Sequence, residues 1–155
     1  MGGSRAVLMV GLFLLASASA PLASSHTQQT LTVILVEDGV VSGNITDPAF
    51  VQGNALWFRM EDNTENTTMK VRLDIDQDGV FNASNDFEST DLVHECELNE
   101  TGALVDEDCA VSATYAFSMN ATVGTYAFWV HRTSNETETV WNHTVAVHKL
   151  SLIHI

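Results

Sequence analysis

From about residue 30 onward the chain alternates apolar and polar side chains in short runs broken by Gly, Asn, Asp and Pro. A period of two belongs to strands whose faces meet different surroundings. No useful length of chain carries apolar residues at helical spacing. Residues 31–36 form an apolar run closed by Glu37-Asp38-Gly39, which predicts a strand and a turn; Val40-Val41 is expected to pair briefly before Gly43 and Asp47-Pro48 break the chain. Residues 54–60 predict a second strand, with Leu56, Phe58 and Met60 on one face and Ala55, Trp57 and Arg59 on the other. In 69–75 the residues Met69, Val71, Leu73 and Ile75 oppose Lys70, Arg72 and Asp74, the alternation of a half-buried strand. Further strands are predicted over 91–98, 111–119, 125–131 and 139–147. In the last, Asn142, Thr144, Ala146 and His148 share one face, opposite His143, Val145 and Val147. About seven short strands separated by turn signals predict an all-β fold of two packed antiparallel sheets. The 155 residues suffice for one such domain and are short for two.

The first 25 residues stand apart from this pattern. Arg5 precedes an apolar run over 6–15 and then small residues, the layout of a secretory signal peptide and too short a run to cross a bilayer. Cleavage after Ala20 would place Pro21 first, so a cut after Ala18 or Ser25 is expected, with the sandwich domain over about 26–149. Residues 150–155, Leu-Ser-Leu-Ile-His-Ile, resemble the in-frame translation of a transposase adapter used in sequencing libraries, so the natural chain is expected to continue past Lys149.

Export gives meaning to three further features. Asn44, Asn66, Asn82, Asn99, Asn120, Asn135 and Asn142 each begin an Asn-x-Ser/Thr acceptor site. With 10 Asn and 28 Ser plus Thr in 155 residues, chance supplies about two such sites, so seven point to N-glycosylation at the cell surface. Cys96 and Cys109 are expected to pair in an oxidising compartment, free thiols or a metal site being the alternatives. The formal charge is −14, and loss of Arg5 with the leader leaves five bases against 20 acids. Nucleic acid and anionic membrane are poor partners for such a surface. Fifteen of the acids lie between Glu61 and Asp108, alongside only Lys70 and Arg72 as bases, and that stretch needs counter-ions.

Within it lies the one motif with chemistry, Asp74-Ile75-Asp76-Gln77-Asp78-Gly79-Val80-Phe81-Asn82. Calcium takes six to eight oxygens, and carboxylates at alternate positions wrap one ion if the loop turns sharply at the sixth residue, where Gly79 stands. Val80 would offer its carbonyl and Asn82 a side chain or a bridging water. The motif resembles the calcium loops of EF-hand, dockerin-like and thrombospondin type 3 proteins. It departs from the EF-hand at the twelfth position, where Asn85 replaces the bidentate Glu, and in following a strand where that family has a helix. Asp86 or Glu88 would supply the missing carboxylate if the loop bends back. The resemblance implies Ca2+ as a structural ion held with a Kd of about 10⁻⁴ to 10⁻³ M.

The segment 123–130, Val-Gly-Thr-Tyr-Ala-Phe-Trp-Val, followed by 141–147, resembles the last two strands of immunoglobulin-like domains in prokaryotic, archaeal-type surface proteins. In that family a Gly-x-Tyr step opens the penultimate strand, and the Tyr packs and hydrogen-bonds at the corner. Cys96 and Cys109 are too close in sequence for the inter-sheet bridge of antibody domains. Enzyme motifs are not found: His94-Glu95 lacks a second His at Leu98, and no nucleophile elbow or phosphate loop is present. The expected role is therefore a calcium-stabilised, glycosylated surface domain, structural or adhesive, with other surface proteins, glycans or further copies as partners. Two alternatives stand beside it. One is a filament subunit in which residues 31–36 complete a neighbour's sheet. The other is a carbohydrate-binding module using Trp57, Trp129 and Trp141 as a platform.

Overall fold

The computed structural model describes residues 28–151; the expected leader (residues 1–25) and residues 152–155 of the expected adapter segment lie outside the described residues. The described chain contains eight strands and no helix: β1 Thr30–Val36, β2 Gly39–Val40, β3 Ala55–Met60, β4 Thr67–Leu73, β5 Phe87–Glu88, β6 Ser112–Ala116, β7 Gly124–Ser134 and β8 Thr137–Val147. They form two sheets, β2-β1-β3-β6 and β5-β4-β7-β8, an all-β sandwich as the alternation predicts. Among the described residues no helix is long and apolar enough to cross a membrane.

The core is built from alternate apolar residues of the strands. Val33 and Leu35 of β1, Leu56, Phe58 and Met60 of β3, Met69, Val71 and Leu73 of β4, Phe128 and Val130 of β7, and Val145 and Val147 of β8 join one buried cluster. Phe58 meets Phe128 between the sheets with ring centroids 5.8 Å apart. At one end the aromatic series Phe50, Phe117, Tyr126 and Tyr115 makes edge-on contacts, and Phe87 of β5 packs on Tyr115 of β6 at 5.2 Å. Tyr126 follows Gly124 at the start of β7 and donates its hydroxyl to the carbonyl of Thr122 at 2.5 Å, the corner contact that the Gly-x-Tyr step predicts.

The sheets are antiparallel except for one pair, because β1 and β3 run parallel, with Thr30 opposite Ala55 and Leu35 opposite Met60. The intervening chain crosses to the other sheet and returns. Ile45 bridges Val145 and Val51 bridges His148, both parallel to β8, before β3 begins. Alternation reports which face a residue occupies and carries no information on strand direction, so this departure was not legible in the sequence. Residues 91–98 also differ from expectation and form no strand. Leu92 makes bridges to Met69 and Ala110, and Leu98 to Leu104. Only Leu92 reaches the core, whereas Glu95, Glu97 and Leu98 are exposed, so no face exists for a sheet to bury. The place beside β4 is taken by β5 instead, Arg72 opposite Glu88 and Leu73 opposite Phe87. The arm from Val93 to Ala110 is stapled by the Cys96–Cys109 disulfide, with Cα atoms 6.0 Å apart, and Val93 donates its N–H to the Ala110 carbonyl at its base.

Candidate metal centre

Asp74 is the residue after β4. Its N–H donates to the Ala127 carbonyl at 2.9 Å, extending the ladder to β7 by one step before the chain turns away. Gln77 and Gly79 then adopt left-handed backbone angles, φ 57° and 82°, and reverse the loop over Asp74. Gly79 donates its N–H to Asp74 Oδ2 at 2.7 Å, and the Gln77 side chain donates to the Thr125 carbonyl at 3.1 Å, which fastens the loop to the start of β7. The Asp76 and Asp78 carboxylates accept from the main chain two residues on, Asp78 at 3.3 Å and Val80 at 2.9 Å. Each side chain is thereby held by local turns on the same side of the loop.

The fourth carboxylate arrives from the far end. Asp86 precedes Phe87, whose ring is anchored on Tyr115, and its two oxygens accept the N–H groups of Ile75 and Asn82, each at 2.8 Å. Asp74, Asp76, Asp78 and Asp86 each present an oxygen within 4.8 Å of the others, an arrangement able to hold a metal ion. Asp86 thus fills the role that sequence left between two residues, and Glu88 goes elsewhere, accepting from Arg72 Nε at 2.6 Å. Asn82 supports the site through its main chain; its Oδ1 accepts from the N–H and hydroxyl of Ser84 at 3.1 and 2.8 Å. Val80 turns its side chain to solvent.

Charge makes this arrangement costly without a cation. Asp74 is only 2% exposed. Its Oδ1 is fully buried and has no hydrogen-bond partner, and Asp76, Asp78 and Asp86 each bring an oxygen within 4.8 Å of one of its carboxylate oxygens. A buried acceptor left unmet costs about 1–3 kcal/mol, more when charged, and like charges at this distance repel. The Asp76 carboxyl is accordingly pushed up to about 6, chiefly because its proton can be given to the Asp74 carboxylate. Asp78 is held below the ordinary carboxylate value, chiefly by the N–H of Val80. A proton or a metal ion would relieve the same repulsion. The sequence placed Asp74, Asp76 and Asp78 and left the fourth carboxylate between Asp86 and Glu88, and it had no way to show which oxygen is buried and unmet.

The remaining sequence-predicted residues lie apart from this centre. Cys96 and Cys109 form the disulfide. Asn44, Asn66, Asn82, Asn99, Asn120, Asn135 and Asn142 are all exposed. The three tryptophans do not meet on one surface. Register and burial place Trp57 on the outer face of the β1-containing sheet, Trp129 on the outer face of the other, and Trp141 on the inward side of β8 against the core. One charged pair went unnoticed in the sequence: Asp62, just after β3, accepts from Arg132 Nε of β7 at 2.6 Å, with side chains 1% and 13% exposed. Seventy residues separate the partners, and no local pattern signals such a contact. No protein-family model, curated protein or solved structure matches this chain, so what the centre does must be argued from its geometry.

Proposed function

We propose that this chain is an exported, N-glycosylated surface domain with a structural or adhesive role, its sandwich held by one structural calcium ion. The observation that carries the reading is the convergence of four carboxylates within 4.8 Å, one of them the buried Asp74, whose Oδ1 has no hydrogen-bond partner. An all-oxygen, all-acidic donor set is the chemistry of a hard cation rather than of zinc or copper. Calcium fits better than magnesium because the donors come from an irregular loop, whereas magnesium demands a near-ideal octahedron. The ion would join the end of β4, the start of β5 and, through Gln77, the start of β7, so its effect is on stability. Export and glycosylation are supported by the leader pattern and by seven acceptor sites whose asparagines are all exposed. The acidic surface suits a soluble domain kept apart from anionic partners.

Thermal melting with and without chelator tests this. At 10 to 100 times the dissociation constant, calcium stabilises the fold by roughly 1.4–2.7 kcal/mol. EDTA is therefore expected to lower the melting temperature by roughly 5–10 °C, and Asp76→Ala to remove the difference. An intact protein whose melt ignores EDTA refutes the calcium reading.

A further inference from the structure

Asn142 is the sole acceptor asparagine placed inside a strand among the described residues; the other six lie in turns and loops. In the β7–β8 register it stands directly opposite Trp129. Phe128, Val130 and Val145 fill the core, so Trp129 and Asn142 both project from the outer face of the sheet. Directly opposed residues of an antiparallel pair hold their Cβ atoms about 4.5–5.5 Å apart, so the first sugar on Asn142 Nδ2 begins within reach of the indole. From these placements we propose that the glycan on Asn142 is a structural part of the sandwich, its first ring lying against the Trp129 side chain. The inference rests on the reading that the acceptor sites are used.

The surroundings suit that occupant. Ala127 is the next outward residue on β7, small enough to leave the indole accessible from that side, and its partner on β8 is Thr144, the hydroxyl residue of the same acceptor site. Along β8 the next outward residue is Val140, an apolar side chain left 48% exposed. Trp129 and Val140 thus flank Asn142 with apolar surface that the C–H face of a sugar would cover, and the electron-rich face of an indole favours such positively polarised C–H groups. On the opposite side of Trp129, Arg72 is engaged already: its guanidinium lies 4.5 Å from the Phe81 ring centroid and its Nε bonds Glu88. One row further along the face lies a polar cavity of about 140 Å³ lined by Lys70, His131, Asp91, Glu138, Thr68 and Thr133. Its charged groups are paired with one another, Lys70 with Asp91 and His131 with Glu138, and their remaining donors and acceptors are of the kind that bind sugar hydroxyls.

The experiment uses the full chain secreted from a cell line that N-glycosylates, with occupancy at Asn142 read by peptide mass spectrometry. Thr144→Ala removes the acceptor site and keeps Asn142. It is expected to lower the melting temperature by about 3 °C, to have no such effect when Trp129 is replaced by Thr, and to regain it with Trp129→Phe. The same Thr144→Ala change in unglycosylated bacterial protein should leave the melt unaltered. Should Trp129→Thr fail to fold, Trp129→Leu serves in its place, keeping bulk without a π face. An occupied Asn142 whose loss has the same effect whatever stands at 129 overturns the inference and leaves glycosylation standing. An Asn142 that stays bare in secreted protein overturns both.

Discussion

Two aspartates are buried among the described residues, and they meet their charge in opposite ways. Asp62 is desolvated, which raises its pKa, but hydrogen bonds from Arg132 and Thr64 more than offset this and hold it below the ordinary value. Asp74 has the Gly79 N–H and a crowd of like charges in place of a cationic partner. Removing Asp62 leaves an Arg132 that is 13% exposed without its carboxylate, so Asp62→Ala is expected to destabilise by about 3–5 kcal/mol in urea melts, with calcium unable to restore it. The acidic cluster predicts a pH dependence of the other sign. Asp76 has a folded pKa raised from 3.8 to about 6, so its protonated form favours the metal-free fold. That contribution is complete below about pH 4 and disappears as pH rises through 6. Calcium competes with this proton, so the melting-temperature gain on adding calcium should be larger at pH 7.5 than at pH 5. Paired melts at the two pH values check it, and an equal or smaller gain at pH 7.5 contradicts it.

At the scale of elements, the alternation in 54–60 and 69–75 located β3 within a residue and β4 within two residues at each end, and it identified the buried rows Leu56, Phe58, Met60 and Met69, Val71, Leu73, because each side chain's face is a local property. The corner hydrogen bond of Tyr126 was expected from the resemblance to immunoglobulin-like domains and not from alternation. What the pattern did not carry was long-range. The parallel β1–β3 pair depends on a connection that visits the opposite sheet, and β5 is two residues long, fixed by Phe87 packing on Tyr115 rather than by any run of its own. Residues 91–98 imitate a strand through Leu92, Cys96 and Leu98, yet the disulfide gives this stretch an anchor that is not a sheet. The metal loop was the most legible part of the site because spacing alone brings Asp74, Asp76 and Asp78 together around Gly79. Asp86 was one of two candidates in the sequence, and the choice over Glu88 came only with the return of the chain to Ile75 before β5.

Over the whole molecule, 20 acids face six bases, and four of the acids converge at a point that ties β4, β5 and β7 together. The Asp62–Arg132 pair joins the sheets elsewhere, linking the chain after β3 to β7. On the proposed reading, the stability of the fold depends on ions supplied by an exterior setting as well as on its apolar core. Equilibrium dialysis of purified protein against millimolar calcium tests this account most directly, with Asp74→Asn dialysed alongside. One calcium per chain is predicted at a Kd of about 10⁻⁴ to 10⁻³ M, with binding lost or sharply weakened in Asp74→Asn. Wild-type protein that retains no calcium under these conditions, or a variant that retains as much, would contradict it.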